Sequence, residues 1–166
     1  MSGVTVDVDS TEISALLAQL KERTSDTQPA MAAIGRFLVS KIQMGFRTSR
    51  DPWGNAWAAL KFRSGQPLRD TGRLRNSIHY AATPQEVTVG TNVSYAAVHQ
   101  FGAVIKPKTA KALVFTAGGR TIFARSVTVP ARPFMPIGQP LPDSWEQGIK
   151  EALSRAILAA DAGGAQ

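Results

Sequence analysis

Leu74-Arg-Asn-Ser-Ile-His-Tyr-Ala-Ala-Thr-Pro-Gln-Glu-Val-Thr-Val-Gly-Thr-Asn92 lies in the middle of the chain, and its reading decides the fold class. Val87 and Val89 alternate with Glu86 and Thr88, the two-residue period of a half-buried strand. Thr83-Pro84-Gln85 separates that run from Leu74–Ala82, and proline is a turn former. The two runs, 74–82 and 86–91, read as a strand pair joined by a proline turn. Thr71 to Ser77 can also begin as a helical turn. Gly90-Thr91-Asn92 ends the pair.

Upstream, the period changes from two to three or four. Ile13, Leu16, Leu17 and Leu20 predict a helix over about Ser10–Arg23, with Asp9 and Glu12 at the spacing of a capping box. Met31, Ile34, Leu38, Ile42 and Phe46 predict a second helix over about Pro29–Phe46, Pro29 suiting its first turn. Val4, Val6 and Val8 alternate with polar residues and read as a short strand or extended arm before both helices.

Downstream, Tyr95, Val98 and Phe101 give a short helix over Ser94–Phe101, with Ser94 as its cap and Gly102 as its stop. Ala112–Thr116 and Thr121–Val129 flank Gly118-Gly119 and read as a β-hairpin. Pro130-Ala-Arg-Pro-Phe-Met-Pro136 cannot be a helix or central strand, because proline fixes φ and lacks a donor. Trp145, Ile149, Leu153, Ile157 and Ala160 predict a last helix over about Asp143–Ala160, again with a capping-box spacing, Asp143 to Glu146. The expectation is one α+β domain over 1–166. It has a mainly antiparallel sheet, two N-terminal helices, a short middle helix and a C-terminal helix. Within it lie a long loop at 47–69, a hairpin region at 103–129, a proline-rich arm at 130–142 and a frayed tail at 161–166.

The chain has 166 residues, 43% of them hydrophobic, with no cysteine and a net charge of +7. That is enough apolar material for one core. It excludes disulfides, thiol catalysis and cysteine-held metals. No apolar run approaches the ~18 residues of a membrane span. Met1–Asp9 is polar and acidic, the wrong chemistry for a secretory signal. The charge is segregated. Arg47–Arg132 holds thirteen basic and three acidic residues, a balance of +10, between flanks of −1 and −2.

Catalytic chemistry finds little to work with. His79 and His99 stand alone, with no second histidine or carboxylate at metal spacing. No metal ligand set and no cofactor loop is present, Gly118-Gly119-Arg120 lacking the spacing of a phosphate loop. Ser94 and His99 would need a distant carboxylate to form a hydrolase triad, and no nucleophile elbow supports one. Two constellations remain. Arg47, Arg50, Lys61, Arg63, Arg69, Arg73 and Arg75 interleave with Trp53, Trp57 and Phe62, a pattern that can bind nucleic acid by charge and stacking. The arm around Arg132 and Phe134 is the other, an extended preordered segment with an exposed aromatic for docking.

Five stretches then carry a resemblance. They are Asp51-Pro-Trp-Gly-Asn-Ala-Trp57 with Leu60-Lys61, Leu68-Arg-Asp-Thr-Gly-Arg-Leu74, Val89-Gly-Thr-Asn92, Tyr95-Ala-Ala-Val-His-Gln-Phe-Gly102 and Pro130-Ala-Arg-Pro-Phe134. In this order and spacing the chain resembles the phage virion morphogenesis, or tail completion, family of tailed bacteriophages. The resemblance implies a non-enzymatic, tail-terminator-like or connector-like structural protein without catalytic residues, metal or cofactor. It implies a homo-oligomeric ring, commonly a hexamer, at the neck, touching tail-tube and head-connector proteins, assembled in the host cytoplasm and independent of membranes. Interface candidates on this reading are Trp53, Trp57, Arg73, Tyr95, His99, Phe101, Arg132 and Phe134. His99 is expected to be a satisfied hydrogen-bonding residue. Arg47, Arg50, Lys61, Arg63, Lys106, Lys108 and Lys111 would face an acidic partner, with genomic DNA in a ring lumen as the lesser reading. The alternative function is a nucleic-acid-binding protein using the basic segment 47–132.

Overall fold

A computed structural model describes residues 10–61, 64–117 and 119–163. The expected strand at Val4–Val8 lies outside the described residues. The elements are α1 (Thr11–Arg23), α2 (Gln28–Thr48), α3 (Arg73–Asn76), β1 (His79–Ala82), β2 (Val87–Gly90), α4 (Ala96–Phe101), β3 (Ala103–Ile105), β4 (Leu113–Ala117), β5 (Arg120–Ala124), β6 (Val127–Val129) and α5 (Asp143–Gly163). This is the mixed α+β architecture expected from the alternation of periods.

The three long helices form because their apolar residues recur on one face. Helix α5 packs on both α1 and α2, and α2 lies across β1 and β2. The core sits between these layers. Leu20, Ile42, Phe46, Val89, Phe134, Met135 and Leu153 are its most completely buried side chains. Helix α2 comes unusually close to β1 at Gly35. A Cβ built there would lie 2.2 Å from the Tyr80 ring, so hydrogen is the only side chain the contact admits.

The expected capping box between Asp143 and Glu146 does not form, and Asp9 of the other lies outside the described residues. Glu12 is turned to Lys150 in an ion pair, and Glu146 accepts a 2.8 Å hydrogen bond from Ser10 Oγ while lying 3.2 Å from Lys150. Both glutamates therefore stitch α1 to α5, because a charge-assisted bond across helices outcompetes a local bond to one main-chain N–H. The bonds from Ser10 and Lys150 hold the Glu146 carboxyl below its usual pKa, and Glu12 and Glu146 raise that of Lys150.

The single sheet is also corrected. Among the described residues the strands form three separate antiparallel ribbons, β1–β2, β3–β6 and β4–β5. The run Thr121–Val129 is not one hairpin strand. It breaks at Arg125-Ser126 into β5, which pairs with β4, and β6, which returns to β3. Leu74 belongs to the helical turn α3 rather than to the first strand. Ser94 does not cap α4; Tyr95 occupies that position, with no side-chain cap bond. Gly102 ends α4 as expected, at φ 74°. Helix α2 runs on through Thr48, so the long loop starts two residues later than expected, and α5 spans Asp143–Gly163.

Candidate functional site: the strapped arm and the exposed ribbons

The proline arm is held down along its length by main-chain carbonyls and N–H groups. Proline cannot donate, so the arm offers mainly acceptors, and donors must come to it. Trp57 Nε1 donates to the Pro133 carbonyl at 2.7 Å, and Trp53 Nε1 donates to the Pro140 carbonyl at 3.1 Å. Gln100 of α4, only 3% exposed, does the rest. Its Oε1 accepts from Phe134 N–H at 3.0 Å and Met135 N–H at 3.1 Å, and its Nε2 donates to the Met135 carbonyl at 2.8 Å. The Arg132 N–H donates to the His99 carbonyl at 2.7 Å, while its guanidinium donates to the carbonyls of Ala58 at 2.9 Å and Ala59 at 3.3 Å. Phe46 stands between the rings of Trp57 and Phe134, with centroids 5.5 and 5.4 Å away.

Trp57, Arg132 and Phe134 are thus brought together inside the subunit. This corrects the expectation that the arm presents an exposed aromatic: Phe134 is buried, its ring against Phe46 and its N–H held by Gln100. Sequence reasoning missed Gln100. Its only signal was a polar residue on the short helix α4, next to His99, which does not name a partner. Trp53 is half-buried against Pro140 and is not part of the Phe46 cluster.

Arg73, Tyr95, His99 and Arg132 line an open cleft of about 580 Å³ with Leu68 and Asp70. Gly72 enters it at φ 75°, a left-handed turn that glycine adopts without strain. His99 is not satisfied as expected: its Nδ1 is buried without a hydrogen-bond partner, and the ring's neighbour is Tyr95, edge-on at 5.7 Å. Burial, and then the charge of Arg132, lower its pKa. The ring makes no hydrogen bond to Ser94 or to a carboxylate among the described residues, so the triad arrangement is not assembled. Among the described residues there is also no cluster of acidic or histidine side chains able to hold a metal.

The exposed candidates lie elsewhere. Phe101 is 59% exposed at the end of α4. Arg47 is in the last turn of α2, Arg50 and Lys61 are in the following loop, and Lys106, Lys108 and Lys111 are in the β3–β4 connection, all exposed. Arg63 and Phe62 lie outside the described residues. The stacking platform expected between these cations is not available at Trp57, whose ring is buried and whose N–H is committed to Pro133. No helix among the described residues is long and apolar enough to cross a membrane.

The phage virion morphogenesis family matches residues 8–157, and the chain belongs to that family. It is a bacteriophage protein of particle construction. The Mu-like prophage FluMu G protein 2 of Haemophilus influenzae is similar to it, with 36% identity over 124 residues, 75% of this chain and 76% of the relative. No solved structure matches.

Proposed function

We propose that this chain is a ring-forming structural subunit at the phage neck, which completes the tail and joins it to the head. Membership of the virion morphogenesis family supports the virion role. The observation that carries the ring reading is the exposed apolar surface outside the helical layers. Phe101, Val104, Val114 and Phe123 are each more than half exposed, which is the character of a subunit surface rather than of a finished monomer. The function is scaffolding, so no side chain is assigned to catalysis. Hexamer formation and contacts with tail-tube and head-connector proteins belong to the same proposal. Electron cryo-microscopy of virions, with the protein tagged at its C-terminus, tests it. The expected result is density in a ring between tail and head. A particle in which the tag lies anywhere else, or is missing, would overturn it.

DNA contact is the second reading, and one observation favours it. Lys106, Lys108, Lys111, Arg120 and Arg125 make no ion pair among the described residues, whereas the ion pairs seen all lie in the helical flanks. Binding to duplex DNA that falls steeply as salt rises would support it; salt-independent or undetectable binding would remove it.

A further inference from the structure

We propose that the free edge of β2 and the groove beside it are the docking site for this chain's own segment 4–8, which lies outside the described residues, as a third strand. The inference goes beyond the ring reading and does not depend on it. The Thr83 N–H donates to the Glu86 carbonyl at 2.9 Å, which makes these two a hydrogen-bonded pair at the turn of the β1–β2 ribbon. Bonded and non-bonded pairs alternate along an antiparallel ribbon. In this register Ala81 and Thr88 are a bonded pair, whereas Ala82 with Val87 and Tyr80 with Val89 are not. The N–H and carbonyl groups of Val87 and Val89 therefore point away from β1, to the other edge of β2. No strand among the described residues pairs there, and neither valine makes a main-chain bond on that side to another described residue. Val89 is only 1% exposed. Main-chain groups so shielded from water call for a protein partner.

Beside that edge lies a groove of about 190 Å³, lined in part by Ile13 and Leu17 of α1, Met31 and Ile34 of α2, and Val87 and Val89 of β2. Sequence pattern and reach select its occupant. Val4, Val6 and Val8 alternate with Thr5 and Asp7, so as a strand the segment carries three valines on one face and polar groups on the other. Laid along β2, the valine face follows Val87 and Val89 into the groove, and Thr5 and Asp7 turn to water. Val8 stands five residues before Ile13, a lining residue of the groove, and five extended residues reach about 17 Å. The segment is thus tethered at the site it fills. The same segment from a second copy would have to meet the entropic cost of association first, which favours the chain's own. An added strand also closes an edge that would otherwise pair with foreign strands, and leaves subunit contacts to other surfaces.

Nuclear magnetic resonance on the full chain tests it. Amide hydrogen exchange at Val87 and Val89 should be slowed to within about tenfold of that at Thr88, whose N–H faces β1. Fast exchange at the two valines beside slow exchange at Thr88 would mean an open edge and would overturn the proposal. Methyl-to-methyl Overhauser contacts between Val6 and Val87 or Val89, measured in a mixture of differently labelled copies, identify the occupant. Contacts within one copy are the expected result. Contacts only between copies would mean that the segment is exchanged between subunits, and no contacts at all would mean that the groove is not its site; either would overturn the proposal. As a further measurement, Val6→Asp places a charge on the groove face and should speed exchange at Val87 and Val89 by roughly tenfold or more. Unchanged exchange at both would count against the docked strand. None of these outcomes depends on whether the chain assembles into a ring.

Discussion

Gln100 grips the main chain of Met135 from both sides: its Oε1 accepts from the Met135 N–H at 3.1 Å, and its Nε2 donates to the Met135 carbonyl at 2.8 Å. The same oxygen also takes the Phe134 N–H. One buried amide thus does for the proline arm what a neighbouring strand does in a sheet. It satisfies main-chain groups that would otherwise be buried without partners, and it lets Phe134 and Met135 enter the core.

Gln100→Leu removes the grip while keeping comparable volume. It leaves two N–H groups and one carbonyl of the arm without their partner, and a buried unsatisfied group costs roughly 1–3 kcal/mol. Partial recovery by water brings the expected loss to about 3 kcal/mol, read as a lower urea midpoint at unchanged m-value. A loss under about 0.5 kcal/mol would mean that Trp53, Trp57 and Arg132 hold the arm without Gln100.

The two tryptophans of the loop should differ. Trp57→Ala empties a core site, strips Phe46 of a ring contact and frees the Pro133 carbonyl; a loss of roughly 3–5 kcal/mol is expected. Trp53→Ala removes a half-buried ring and one hydrogen bond to Pro140, with an expected loss of about 1–2 kcal/mol. Thermal denaturation of both variants side by side checks the order, and equal losses would contradict it.

Gly35→Ala sets two effects against each other. Alanine in a helix interior gains about 1 kcal/mol over glycine. Against this, the new methyl would meet the Tyr80 ring at 2.2 Å, and overpacking costs roughly 1–3 kcal/mol. The clash involves ring atoms close to the β1 main chain rather than the tip of a flexible side chain, so net destabilisation is expected. Adding Tyr80→Ala to Gly35→Ala should then cost less than the sum of the two changes, a double-mutant cycle with clear non-additivity.

His99 should make the fold acid-sensitive. Its pKa lies below the usual value near 6.5 because burial, then Arg132, disfavours the imidazolium. As pH falls below that value the unfolded chain takes up a proton that the folded chain refuses, so stability declines with falling pH until the folded pKa is reached. Melting temperatures measured from pH 7.5 to 5.5 should fall in the wild type and stay flatter in His99→Gln. The same slope in both proteins would assign the effect to another group.

Parts of the fold were plain from residue order. The stripe Met31, Ile34, Leu38, Ile42 and Phe46 has the period of a helix whatever lies beside it, and α2 follows it closely. The β1–β2 ribbon was legible because its turn is short and local. The β3–β6 pairing was not, since β6 follows β5 almost directly and only the path of the chain in space returns it to β3. The candidate site was legible as a set of stretches but not as an arrangement. Trp57, Arg132 and Phe134 read as surface anchors because aromatics and arginine near prolines are common at interfaces, and nothing local marks them as core.

What this chain's sequence determined by itself was therefore the local and the additive: helix periods, turn positions, the segregation of charge into a basic centre and acidic flanks, and the ordered stretches of its family. Tertiary structure alone decided which apolar residues are core and which stay exposed on the ribbons. It also decided which polar groups pair. The physical reason lies in the reach of the contacts. Gln100 serves a main-chain group 35 residues away and Trp57 one 76 residues away, and such partners are chosen by how the layers pack, not by any neighbour along the chain.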